Sequence, residues 1–169
     1  MALVVDTDTY ISQADATTYI NGHYATTDAE YIAWAALTSD NKDAHLRKAV
    51  QTIDRQPLVG FKKTTTQALA FPRTLYTEAS HSAVFVSNLM PYDNWYTQTT
   101  TPQAILDAQC EIAISNATGT SVRVTLQRQG VKSFSIGNLS ESLTGAANAL
   151  PYEAKELMKP YLAGSVRIT

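Results

Sequence analysis

The sequence DAHLRKAVQTIDRQP, residues 43–57, predicts a helix that ends at a proline. Four apolar residues recur at helical spacing and form one stripe: Leu46, Ala49, Val50 and Ile53. Charged and amide side chains occupy the other faces of this helix. Pro57 cannot continue it, because proline lacks the amide proton and its ring clashes with the preceding turn. We therefore expect a helix from Asp43 to Gln56 with one buried side.

The next stretch, GFKKTTTQALAFPR at residues 60–73, predicts a loop that returns to the helix. Its first half is basic and threonine-rich, whereas its second half places Leu69 and Phe71 ahead of Pro72. The residue before a proline favours extended backbone. Because two large apolar side chains would be costly to leave in water, we expect this loop to be pinned onto the helices.

Length and composition favour one soluble domain over residues 1–169. Hydrophobic residues make up 44% of the chain, but no apolar run is long enough to span a membrane, so no membrane partner is expected. The single cysteine, Cys110, excludes an internal disulfide and favours an intracellular origin.

The charges are unevenly distributed along the chain, although the net charge is only −2. Residues 1–41 contain six acids and no lysine or arginine, while residues 42–73 contain seven bases and two acids. One interpretation is neutralisation within a single copy. The other is a head-to-tail contact, in which the acidic surface of one copy meets the basic surface of the next.

The rest of the chain predicts a mainly α fold. Further helices are expected at residues 13–22, with Ala14, Thr18 and Tyr19 inward, and at 29–37, 103–116 and 152–163. The helix at 103–116 has the widest apolar surface and should be the most buried, whereas Pro160 should kink or shorten the last helix.

The β-structure is expected to be small. Alternation over Val131–Ile136 and Leu139–Leu143, with Gly137-Asn138 between them, predicts a hairpin. Residues 74–101 predict a long, aromatic-rich irregular loop with a possible strand at 82–87. The expected fold is a small helical bundle at about 10–116, a β-hairpin projection at about 121–143 and a C-terminal helical arm at about 150–169.

No constellation of residues predicts catalysis, a metal site or a cofactor. The three histidines have no Cys or carboxylate companions at ligand spacing, and no phosphate-binding or nucleophile motif occurs. Cys110 and Glu111 share an apolar helix and are expected to be structural. The candidates for nucleic-acid contact are basic residues, each more simply explained as a solvated charge: Lys62, Lys63, Arg73, Arg128 and Lys132.

Several short motifs occur in order along nearly the whole chain. They are YISQADATTY (10–19), WAALT (34–38), KDAHLRKA (42–49), QALAFPR (67–73), PQA (102–104), EIA (111–113) and the segment from LP (150–151) to PYL (160–162). Together these motifs resemble a family of small tailed-bacteriophage proteins. Members are often labelled DnaT-like single-stranded-DNA-binding proteins, and they are similar to the head–tail connector adaptors that form a ring beneath the portal. Phe71 stands where that family usually has tryptophan, and residues 74–101 are longer than the family pattern.

The resemblance implies a virion structural protein at the neck, made in the host cytoplasm, without cofactor or enzymatic activity. About twelve copies would form a ring between the portal protein and a tail or stopper protein, and DNA would pass through it without sequence-specific binding. The alternative is a single-stranded-DNA-binding accessory of replication.

Three groups of contact residues are expected from this combination of charge pattern and resemblance. The subunit contact would use Asp15, Asp28, Glu30, Arg47, Lys48 and Arg55. The portal or partner contact would use Leu157, Met158, Tyr161 and Leu162. The channel candidates are Lys62, Lys63, Arg128 and Lys132.

Overall fold

Five α-helices and two small antiparallel sheets form the part of the chain that the computed structural model describes, residues 3–76, 95–119, 133–136, 139–142 and 150–163. The mainly helical fold class is therefore confirmed. No helix in these ranges is long and apolar enough to cross a membrane. The helices are α1 (Gln13–His23), α2 (Ala29–Ala35), α3 (Ser39–Asp54), α4 (Gln103–Thr118) and α5 (Tyr152–Met158).

Helix α4 lies at the centre of the bundle and packs against α1, α2, α3 and α5. Eight of its residues are buried, from Ile105 to Ile114, which confirms the prediction that it is the most buried helix. Pro102 is the N-cap and Gly119, at φ +93°, follows the last helical residue. Proline at the start and a positive-φ glycine at the end set the length of this helix.

The apolar stripe of α3 is confirmed, since all four of its predicted residues are buried. The helix begins earlier than residue 43, at Ser39. Thr38 is the N-cap, and its hydroxyl accepts a hydrogen bond from the Asn41 amide at 3.4 Å. Threonine is among the residues that favour this position, because its side-chain oxygen can accept from a free amide of the first turn.

The inward face predicted for α1 was wrong. Ala16 and Ile20 are the buried residues, whereas Ala14 and Thr18 are exposed. Ala16 and Ile20 are four residues apart and place the larger apolar side chain in the core. Tyr19 is half-buried, because its hydroxyl reaches a carboxylate on α4.

A three-stranded sheet, absent from the sequence prediction, follows α3. Its strands are β1 (Phe61–Lys62), β2 (Arg73–Tyr76) and β3 (Trp95–Thr97), in the order β1-β2-β3 and antiparallel throughout. Strands β2 and β3 therefore occupy two parts of the predicted irregular loop. The possible strand at 82–87 lies outside the described residues.

The predicted hairpin is confirmed as a separate two-stranded sheet, β4 (Ser133–Ile136) and β5 (Leu139–Ser142). Ile136 pairs with Leu139, so the connection is two residues long, as the sequence predicts. The turn itself, and the alternating segment at 122–126, lie outside the described part of the chain.

The C-terminal helix ends early, as predicted from Pro160. Helix α5 stops at Met158 and continues as a 3₁₀ turn, Lys159–Tyr161. The segment docks on the loop after α3: Val59 N donates to Tyr161 O (2.9 Å), and Ala163 N donates to Pro57 O (2.7 Å). Residues 150–163 are thus folded onto the body, with Ala154 and Met158 in its core.

Candidate functional site

The basic residues predicted for a subunit contact lie on α3, away from its buried stripe. Arg47 and Arg55 are eight residues apart with Gln51 midway, so the three share one side of the helix. They border an open cleft of about 360 Å³, whose far wall includes Thr7 and Asp8. Lys48 is exposed beside this row. Helix α3 therefore presents a basic edge to solvent.

The acidic residues predicted for the same contact are partly used within their own chain. Asp15 closes the cap of α1: its amide donates to Ser12 Oγ (3.1 Å), and Ser12 Oγ donates to its carboxylate (2.6 Å). Asp28 is the N-cap residue of α2 and accepts from the Ala25 amide at 2.8 Å. Glu30 is half-buried in the first turn of α2. Hydrogen-bonded carboxylates keep their negative charge available to a partner.

Glu111 on α4 is the centre of an acidic region that the charge pattern did not predict. It is buried and accepts hydrogen bonds from the hydroxyls of Tyr19 (2.9 Å) and Tyr24 (2.6 Å). The prediction that it is a satisfied structural group is confirmed. Burial raises the pKa of both tyrosines, and the Glu111 carboxylate raises each further.

Acids from other elements act on the same two tyrosines. Glu30 on α2 and Glu153 on α5 contribute to the raised pKa of Tyr24, after burial and Glu111. Asp107, one turn before Glu111 on α4, contributes in the same way to the raised pKa of Tyr19. Carboxylates from α2, α4 and α5 thus converge around the C-terminal end of α1.

The acidic region and the basic edge lie on different sides of α4. Gln109 faces α3, since its side-chain amide donates to Leu46 O at 3.1 Å. Glu111 is two residues further along, about 200° around the helix axis. Glu111 and the two tyrosines that donate to it therefore lie on the side of α4 that faces away from Leu46 of α3.

Two of the four predicted channel residues are placed by the structure. Lys62 Nζ donates to Gln67 O (3.2 Å) and Ala68 O (3.1 Å), and Lys63 Nζ donates to Thr99 O (3.2 Å). Both side chains remain exposed, so they stabilise the loop without losing access to solvent. Arg128 and Lys132 lie outside the described residues.

Arg73 is not available to nucleic acid, contrary to its selection as a candidate. It is 7% exposed, and its guanidinium is surrounded by backbone oxygens. These hydrogen bonds hold the turn before β1 against β2. The accepting carbonyls are those of Val59 (2.7 Å), Gly60 (2.6 Å), Ala70 (3.2 Å) and Leu58 (3.4 Å).

The four predicted partner-contact residues already contact the body of the protein. Met158 is fully buried, so its side chain contributes to the chain's own core. Tyr161 is half-buried and packs edge-on against Phe71, with ring centroids 5.4 Å apart. Leu157 and Leu162 are also half-buried against the core. The portal contact stays a prediction, and it can use only the exposed parts of these side chains.

Within the described ranges, no group of three or more His, Cys, Asp or Glu residues is placed to hold a metal ion. Cys110 is buried, and burial raises the pKa of its thiol, which disfavours the nucleophilic thiolate.

The described elements define a mainly helical protein with two small antiparallel sheets. Comparison with protein families matches residues 1–168 to the family described as "putative DnaT-like ssDNA binding protein". The chain belongs to this family, which confirms that part of the sequence resemblance. Comparisons with curated proteins and with solved structures found no match.

Proposed function

We propose that this protein is a structural, non-catalytic subunit of a tailed-phage neck. About twelve copies would form a ring between the portal protein and a tail or stopper protein. DNA would pass through the central channel without sequence-specific binding. The protein would be made in the host cytoplasm and incorporated into the virion.

The observation that carries this proposal is that accessible acidic and basic side chains lie on different helices. Lys48 and Arg55 are exposed on α3, whereas the accessible acids Asp15, Asp28 and Glu30 lie on α1 and at the start of α2. A closed ring of identical subunits uses a heterologous interface, in which two different surfaces of one subunit complement each other, and these two sets of charges would supply such a pair. Opposite charges at a contact also set its register and discourage wrong partners.

Charge reversal on α3 tests the proposal. The double variant Lys48→Glu, Arg55→Glu should have the circular dichroism spectrum of the folded wild type. Native mass spectrometry should show it as a monomer, without the ring. The matched control is Lys155→Glu, Lys159→Glu on the exposed side of the last helix, which changes net charge equally and should leave the ring intact. Normal assembly of the α3 variant would contradict the charge-based contact.

A second candidate function is single-stranded-DNA binding, which the family description favours. The exposed Lys62 and Lys63 would be its contacts. It predicts micromolar or tighter binding to a fluorescein-labelled oligothymidine, measured by anisotropy. Affinity should fall steeply between about 50 mM and about 200 mM salt, because phosphate contacts release counterions. If the wild type binds the oligonucleotide only weakly at low salt, and the double variant Lys62→Ala, Lys63→Ala binds it with the same affinity, this candidate is excluded.

A further inference from the structure

An open groove of about 480 Å³ lies between the N-terminal segment, α1 and the first turns of α4. Both tyrosines in its lining already donate their hydroxyls to carboxylates of their own chain. Val5 also lines the groove and is 44% exposed. The groove therefore offers mainly apolar surface and aromatic rings. The residues that supply this surface are Val5, Tyr10, Ile11, Tyr19 and Leu106.

The charges beside the groove are acidic. Asp15 lines it, and Gln103, which also lines it, donates from Nε2 to Asp107 at 2.8 Å. The walls come from residues 1–41 and from α4, and neither stretch contains a lysine or an arginine. By charge complementarity, the occupant that suits this groove is an apolar side chain flanked by bases.

The chain itself exposes a segment with this chemistry, Phe61-Lys62-Lys63. Phe61 is 54% exposed on β1, and both lysines are exposed. The Phe61 backbone pairs with Thr74 of β2, and its ring is not part of the lining of its own groove. In the described ranges, the other exposed large apolar or aromatic side chains have no lysine or arginine next to them in sequence: Val4, Val5, Ile32, Tyr96 and Tyr152.

We propose that the groove receives the Phe61 ring of a second copy of this chain. Lys62 and Lys63 of that copy would then lie near the acids of the groove, an alternative to the channel position predicted for them. This inference rests on the proposed self-assembly and names the apolar part of its subunit contact. The residues that contribute most to the affinity of an interface are commonly aromatic and enter desolvated pockets.

Removal of the ring tests the contact in the full chain. Phe61→Ser changes an exposed side chain, so the variant should keep the circular dichroism spectrum of the wild type. Its self-association in sedimentation velocity should be at least about tenfold weaker, because one buried aromatic side chain contributes that much. The control, Tyr152→Ser, removes another exposed ring and should change association by less than about twofold.

A variant of the groove tests the other side of the contact. Val5→Lys places a base where it would repel Lys62 and Lys63, and should weaken association to a similar extent. Ile32→Lys, at another exposed apolar position, is its control and should associate as the wild type does. An equal mixture of Phe61→Ser and Val5→Lys should form dimers and nothing larger. Each variant retains the half of the contact that the other lacks, so one contact can form between them.

Two results would overturn the groove contact. They are wild-type association of Phe61→Ser, and a mixture of the two variants that stays as dissociated as each variant alone. A wild-type chain that is monomeric at every concentration would overturn it as well. Native mass spectrometry of the same samples separates the two proposals. A ring that persists in Phe61→Ser overturns only the groove contact, whereas Phe61-dependent association without a ring supports the contact and contradicts the adaptor.

Discussion

At the scale of single residues, Asp54 and Tyr10 join the central helix to the loop that follows it. The Tyr10 hydroxyl donates to the Asp54 carboxylate, which also accepts from the Ala70 amide at 3.1 Å. The same hydroxyl accepts from the amides of Ala70 (3.1 Å) and Phe71 (3.3 Å). These bonds satisfy polar groups that the buried loop would otherwise leave unpaired.

The Asp54 carboxyl makes stability depend on pH in a defined direction. Burial raises its pKa above the ordinary value, although the bonds from Tyr10 and Ala70 act against this shift. Between the ordinary pKa, about 4, and the raised folded-state pKa, the native state holds a proton that the unfolded state has released. This contribution to stability is complete below that window and is lost as pH rises through it.

Asp54→Asn cannot titrate and should remove this pH dependence. The difference in free energy of unfolding between wild type and variant should decrease as pH rises above about 4 and then level off. Urea denaturation of wild type and variant at each pH measures this difference in the free energy of unfolding. The contributions of the other titrating groups are the same in both proteins and cancel. A constant difference would show that folding leaves the Asp54 pKa unchanged, and a difference that grows with pH would show that folding lowers this pKa; either result contradicts the expected raised pKa.

Substitution of Arg73 should lower the stability of the folded protein. Arg73→Met removes the donor to one buried and three part-buried carbonyls and should lower the free energy of unfolding by about 2–4 kcal/mol. Lys62→Met is the matched control: Lys62 also bonds carbonyls but is exposed, so its loss should cost about 1 kcal/mol or less. Equal, small effects in urea denaturation would contradict the structural role of Arg73.

At the scale of elements, the helices follow from sequence and the three-stranded sheet does not. The stripes of α3 and α4 are long and strongly periodic, so periodicity alone identified them. Strands β1, β2 and β3 have two to four residues each, and the chain between β2 and β3 is long. No short turn signal links such strands, so their pairing was not visible from local pattern.

The residues of the candidate site were also only partly predictable from the sequence. The basic run of residues 42–73 was visible from composition, and the apolar stripe of α3 implied that Arg47 and Arg55 lie on faces other than the buried one. The burial of Arg73 was not visible, because it depends on carbonyls brought together by the turn before β1. The convergence of acids around Glu111 was also hidden, since its members lie on separate helices.

The pairing of β1 with β2 depends on the absence of a side chain at Gly60. Its φ is +71°, and an added Cβ would lie 2.1 Å from Thr74 O. Gly60→Ala should therefore destabilise the protein by more than about 1 kcal/mol. Gly22→Ala, within α1 and with open space around it, should be neutral or stabilise by up to about 1 kcal/mol. Thermal unfolding of both variants measures this contrast, and equal melting temperatures would contradict it.

At the scale of the whole molecule, the proposed ring depends on a charged contact between the basic edge of α3 and the acids of the next copy. Contacts between exposed charges weaken as salt rises, because the screening length falls. If charge sets the subunit contact, the ring should dissociate at a higher protein concentration in about 1 M salt than in about 0.1 M salt. Light scattering during dilution measures this. Greater ring stability at high salt would point to an apolar contact instead.

The most direct test of the adaptor is its copy number in virions of a phage that encodes it. Quantitative mass spectrometry of purified particles compares this chain with the portal protein. The proposal predicts about one copy per portal subunit, as a ring matched to the portal requires. Absence of the chain from the particles would contradict the adaptor and leave single-stranded-DNA binding as the function to pursue.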